Sequence, residues 1–187
     1  MGPIMKTIDK IEELIGHSPH PAIVAIPIGA WLTSSIADGF AIATKKSAYD
    51  DAARISMAVG LVGAVGAAVT GLHDYGYIPK DREPSHNIAT RHGWGNAIAT
   101  SLFLASYLLR VRAAQTKHKP SILSRLLGLA GSGTVAYTGW LGGKLVEEQG
   151  EAVKPIIQQQ NEAAKKRKRA LSENHAVVTL VRDRKSG

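Results

Sequence analysis

Residues 55–72, ISMAVGLVGAVGAAVTGL, run for eighteen positions without a charged side chain. Crossing a hydrocarbon core of about 30 Å takes roughly 20 apolar helical residues at about 1.5 Å each. A single stretch of this length suits either a membrane span or a buried core helix, so its neighbours decide. Upstream, residues 21–43 (PAIVAIPIGAWLTSSIADGFAIA) carry one charge, Asp38. Downstream, residues 93–109 (GWGNAIATSLFLASYLL) carry none, and 122–143 (ILSRLLGLAGSGTVAYTGWLGG) carry only Arg125. Four such stretches with polar links between them, none bearing a polar stripe wide enough to face water, predict four transmembrane helices rather than a soluble Ala/Gly-rich bundle.

The chain-wide averages conceal this pattern. The 187 residues hold 23 Lys+Arg against 15 Asp+Glu, a formal net charge of +8, which suits an anionic membrane surface or a nucleic acid. The clustering of the apolar residues favours the membrane, and no nucleic acid is expected. Cysteine is absent, which excludes disulfides, thiolate metal sites, iron–sulfur ligation and a cysteine nucleophile. The first apolar stretch begins after twenty residues, is too long for a signal-peptide core and is followed by three more, so it reads as a span.

Local signals agree. Gly60, Ala64 and Ala68, like Gly63, Ala67 and Gly71, recur every fourth residue, a ridge that lets membrane helices approach closely. Pro21 suits a first helical turn, and Pro27 should bend the first span. Ser47 with Asp50 resembles a capping box before the second span, and Pro120 and Ser121 precede the fourth. In IMKTIDKIEELI (4–15), Ile4, Ile8, Ile11, Leu14 and Ile15 share one helical face, which suits a membrane surface or a partner protein. Residues 151–187 are too polar to form a core, and KKRKR at 165–169 suits anionic lipid or an acidic partner. The expected fold is therefore all-α. It is an integral membrane, four-helix up-and-down bundle (20–150) with an N-terminal amphipathic segment (1–19) and a polar, basic C-terminal extension (151–187).

Up-and-down connectivity sorts the charges. One membrane face collects Gly16–His20, His73–Asp74, His86–His92 and Gly142–Glu147; the other collects Asp38, Lys45, Lys46, Asp50, Asp51, Arg54, Arg110, Arg112 and Arg125. The first face is rich in histidine, a residue that ligates haem iron or another metal, binds a quinone head group or relays protons. His20 and His92 begin spans that point the same way and are the candidate metal ligands. His17 lies beside His20, while Asp74 and Asn96 can orient the rings. Interfacial histidines also commonly bond only backbone, water or lipid phosphate. On the second face, Asp38 with Arg54 or Arg125 suits an ion pair that fixes helix packing. No Walker, GxSxG or HExxH pattern occurs, and GLVGAVGA lacks the preceding strand of a dinucleotide site.

Four segments, GHSPHPAIVAIPIGAW (16–31), TGLHDY (70–75), RHGWGNAIAT (91–100) and GWLGGKLVEEQGEAV (139–153), resemble the bacterial four-helix membrane proteins of the domain of unknown function 2231 family. The resemblance covers about residues 16–153 and places His17, His20, Pro21, Pro27, Gly29, Asp38, Gly71, Asp74, His92, Asn96, Gly142 and Gly143 on family positions. His73 and His86 are not among them, and Ser18-Pro19 departs from the family's usual Pro-x. Some members look fused to a Rieske domain, which implies electron transfer. The expected function is a small membrane redox subunit taking haem b or a quinone at His17, His20, His92, Asp74 and Asn96. The alternative is a non-catalytic accessory subunit that holds partners in a membrane complex through its N-terminal helix and its tail. A non-enzymatic role is favoured, in a cytoplasmic or organelle-equivalent inner membrane, with both termini cytoplasmic.

Overall fold

The structure is a computed structural model that describes residues 2–151 together with 166, 167 and 171. Five helices follow one another: α1 (Pro3–Ile15), α2 (His20–Thr44), α3 (Ser47–Tyr75), α4 (Glu83–Gln115) and α5 (Ile122–Glu147). No strand occurs among the described residues. One compact unit ends at Gln149 and a second begins at Gly150. Most of the extension 151–187, including most of the basic run 165–169, lies outside the described residues, although Lys166 and Arg167 are helical.

The helix ends follow local chemistry. Gly16, at φ +83°, closes α1 in the left-handed region that a side chain would resist. Ser121 caps α5 by accepting from the Ser124 amide at 3.2 Å. The expected capping box at Ser47 is not formed. Lys46 is the N-cap of α3, Ser47 already lies inside the helix, and the Asp50 carboxylate is drawn instead to Arg125. Pro27 sits inside an unbroken α2, buried where α3 presents Gly63.

Helices α2 and α3 pack along each other, as do α4 and α5; α3 also meets α4 and α2 meets α5, while α1 touches only α3. Neighbours run antiparallel: His20 reaches Thr70 and Ser34 reaches Ala53, just as His92 reaches Thr138 and Ser106 reaches Ser124.

The two hairpins are copies of one another. Residues of α2 have counterparts 72 positions on in α4: His20 and His92, Trp31 and Phe103, Ser34 and Ser106, Asp38 and Arg110. Residues of α3 have counterparts 71 positions on in α5: Ala53 and Ser124, Arg54 and Arg125, Gly60 and Gly131, Gly71 and Gly142. The contacts repeat with the residues. Trp31 lies over Gly60 as Phe103 lies over Gly131, and His20 lies over Gly71 as His92 lies over Gly142. The Ser34 hydroxyl donates to the Ala53 carbonyl as that of Ser106 donates to Ser124. Two pairs of counterparts meet directly. Trp31 stacks on Phe103 with centroids 4.2 Å apart, and Arg110 grips Asp38. The hairpins are thus related by an approximate twofold axis running along the helices.

α2, α3 and α4 are long and apolar enough to cross a membrane. α5 is long enough, but Ser, Thr, Gly and Arg125 dilute its apolar content, and it does not reach that standard. The outer faces of all four are apolar, with Leu32, Val62, Leu108 and Leu129 each more than half exposed. Inside, the largest fully buried side chains are Arg110, Phe103 and Met57, and Ser34, Ser106, Ser124 and Thr138 are buried with them. Small hydroxyl residues let the backbones close up while bonding back to helix carbonyls.

Candidate functional site

The histidine face is built from the two hairpin ends. In the first, Ser18 is the hub: its hydroxyl donates to Asp74 Oδ2 at 2.7 Å and accepts from the His20 amide at 3.1 Å. The His20 ring lies over Gly71, where an added Cβ would come within 2.9 Å of Cε1. Its Nδ1 is 3.0 Å from Thr70 Oγ1, and that hydroxyl donates its single proton back to the helix carbonyl of Gly66. With that hydroxyl hydrogen on the Gly66 carbonyl, Nδ1 donates and Nε2 presents a lone pair; the Ala67 carbonyl also accepts from the ring.

In the second hairpin, His92 Nδ1 donates to the Thr138 carbonyl at 2.8 Å. Its Nε2 then accepts from Asn96 Nδ2 at 2.9 Å, and Asn96 Oδ1 accepts from the Thr138 hydroxyl at 2.8 Å. Both nitrogens of His92 are committed. The twofold counterpart of Asn96 is Val24, which cannot cap His20 in the same way.

Of the residues expected here, His20, Asp74, His92 and Asn96 fall into these two networks, while His17 bonds only the carbonyl of Ser18. Ser18 answers the departure from the family motif, since it ties His20 to Asp74. The His92 ring lies over Gly142, while Gly143 stays open. Thr70, Thr138 and Ser18 were not anticipated. The repeat pairs His20 with His92 but not the threonines, since Thr70 corresponds to Leu141 and Thr138 to Ala67, so no sequence signal marks those contacts.

A third cluster ties α1 down. The buried His73 ring places Nε2 2.8 Å from Asp9 Oδ1 and Nδ1 3.3 Å from Asp74 Oδ1, and Tyr77 donates to Asp9 at 2.9 Å. Those bonds from His73 and Tyr77 hold the Asp9 carboxyl below its ordinary range, and the bond to Asp9 pushes the Tyr77 phenol up.

At the far end of the helices, Arg110 donates to Asp38 Oδ1 at 2.8 Å and Oδ2 at 2.5 Å, and Arg125 reaches Asp38 Oδ1 at 2.7 Å and Asp50 Oδ1 at 2.6 Å. The packing ion pair expected at Asp38 with Arg125 forms, and Arg110 joins it; Arg54 turns instead to Asp51.

A family described as predicted membrane protein (DUF2231) matches residues 16–155. The chain belongs to the DUF2231 family. That span contains both histidine networks and the Asp38 cluster but not α1 or most of the tail. No curated protein and no solved structure matches the chain.

Fit to a metal or a haem can be tested on the rings themselves. A bis-histidine haem needs a free lone pair on each imidazole. His92 Nε2 already accepts from Asn96, and both rings are packed against glycines, so His20 and His92 do not fit as an axial pair. Among the described residues, no group of three His, Cys, Asp or Glu side chains is placed to hold a metal ion.

Proposed function

We propose that this DUF2231 protein crosses the membrane with all four of α2–α5 and that His20 binds the head group of a quinone or quinol at the histidine face. The fourth crossing rests on packing. α5 runs antiparallel to α4 and turns Leu126, Leu129, Tyr137 and Trp140 outward. Trp94 and Trp140 are exposed near the level of His92, where indoles favour the membrane–water boundary. The observation that carries the ligand reading is the asymmetry between the two histidines. His92 is capped by Asn96, whereas His20 has Val24 at the equivalent place and no such amide cap. A quinol hydroxyl can donate to the Nε2 lone pair of His20. That hydrogen bond would hold the head group without changing its oxidation state, with Asp74 as a nearby negative charge.

The test is titration of the purified protein in nanodiscs with a short-chain benzoquinone, followed by tryptophan fluorescence. Saturable quenching that His20→Ala removes and Asn96→Ala keeps supports the reading. Absence of saturable quenching in the wild type overturns it. A Soret band in oxidised and reduced spectra would reinstate haem.

A second reading, an accessory subunit of a larger membrane complex, is favoured by α1. Its Ile4, Leu14 and Ile15 are exposed although Ile8 is buried. An apolar edge of that kind suits a partner or the bilayer surface. We place both termini on the cytoplasmic side because a polybasic tail suits an anionic leaflet; an active periplasm-only reporter fused at the C-terminus would reverse that.

A further inference from the structure

The twofold relation maps the α2–α5 contact onto the α4–α3 contact, and the two differ in charge. Where α2 meets α5, the Arg125 guanidinium holds two carboxylates, Asp38 at 2.7 Å and Asp50 at 2.6 Å. The counterpart of Arg125 is Arg54, but the counterparts of Asp38 and Asp50 are Arg110 and Ser121. The second half therefore repeats the cation and lacks both anions.

At that place the structure has a cavity of about 300 Å³, lined on its basic side by Arg54, Arg110, Lys117, His118 and Lys119. Asp50 and Asp51 also border it. Asp50 is spent on Arg125, and Asp51 offers Arg54 only an exposed pair at 3.2 Å, a weak interaction in water. Lys117 and Lys119 form no ion pair among the described residues. Lys117 adopts φ +54°, an uncommon conformation for a residue with a side chain, in the loop that bounds the cavity.

We propose that this cavity binds a phosphate group, completing in the α3–α4 half the charge balance that Asp38 and Asp50 supply in the other. A phosphate offers several acceptor oxygens in one compact anion, which suits convergent guanidinium and ammonium donors better than a single carboxylate. The site lies at the opposite end of the helices from His20 and does not depend on the quinone reading. The phosphate can belong to an anionic lipid head group at the membrane face or to a soluble phosphate.

The experiment uses the full chain in nanodiscs of phosphatidylglycerol or phosphatidylcholine, with retained lipid counted by native mass spectrometry. Thermal unfolding in phosphatidylcholine nanodiscs is followed with and without inorganic phosphate. Lipid retention specific to phosphatidylglycerol, reduced roughly tenfold in Lys117→Gln/Lys119→Gln and in Arg54→Gln, supports the site and assigns it to lipid. Stabilisation by inorganic phosphate with the same dependence on these residues supports the site and assigns it to a soluble ligand. Retention or stabilisation that ignores the substitutions, or neither effect in the wild type, overturns the proposal. Circular dichroism confirms that the variants fold, as expected for changes in a loop and at an exposed pair.

Discussion

Trp31 and Phe103 are equivalent residues of two related hairpins, and they stack on each other at 4.2 Å with planes 12° apart. Each also lies over the equivalent glycine of its own hairpin, Gly60 or Gly131. They differ in one group. The Trp31 indole N–H is buried and has no hydrogen-bond partner. An unsatisfied buried donor costs about 1–3 kcal/mol. Trp31→Phe, which copies the other half, should therefore cost less than about 1 kcal/mol, against roughly 3–5 kcal/mol for Trp31→Ala. Gly60→Ala would drive a methyl into the indole and should cost about 1–3 kcal/mol. Thermal unfolding in detergent ranks the three variants.

Asp38 faces two guanidinium groups, and the Arg110 side chain is fully buried. Asp38→Asn should destabilise by about 3–5 kcal/mol, because removing one partner leaves an uncompensated buried charge. Adding Arg110→Met should recover much of that loss. Unfolding midpoints of the single and double variants give the comparison; a double variant no better than Asp38→Asn would show that Arg125 rather than Arg110 sets the cost.

The docking of α1 has a pH window. Asp9 has a lowered pKa in the folded protein, so its contribution is complete above the ordinary value of 3.8 and fades as pH falls through the lowered one. Tyr77 has a raised pKa, so its contribution is complete below 10.0 and fades as pH rises through the raised value. Amide exchange in α1, relative to the intrinsic rate, should lose protection as pH falls through the lowered Asp9 value and again as it rises through the raised Tyr77 value. Asp9→Asn should weaken protection at neutral pH and abolish the loss in acid.

Gly71 and Gly142 seat the two histidine rings. An added Cβ would stand 2.9 Å from His20 at Gly71 and 3.2 Å from His92 at Gly142. Gly71→Ala should shift His20 and weaken benzoquinone binding by roughly tenfold, with a smaller effect from Gly142→Ala. Equal effects of the two would point away from His20 as the binding group.

The helices were legible in the sequence because length and lack of charge are local properties. Residues 21–43, 55–72, 93–109 and 122–143 each lie within one helix, and the membrane solvent leaves an uncharged run of that length few other structures. The grouping of His17, His20, Asp74, His92 and Asn96 at one end was legible too, since connectivity alone fixes which helix ends meet. The repeat was harder to see. Its halves share a few packing residues, and the lipid-facing positions between them need only be apolar, so overall similarity is low.

Hydrogen-bond partners were settled by the tertiary structure alone. Nothing in the spacing of His20 and His92 tells them apart. One is capped by an asparagine one turn on and the other has valine there, and that difference acquires meaning only when the Thr138 carbonyl fixes the Nδ1 hydrogen of His92. The same holds for Arg125, whose partners Asp38 and Asp50 lie on two other helices, while Arg54 pairs within its own. Hydropathy is read along the chain, residue by residue, so the sequence determined an all-helical membrane protein with one histidine-rich end. Charge compensation and ring hydrogen bonds depend on groups far apart in the chain, and only the packing of the four helices decided how each ring and each guanidinium is paired.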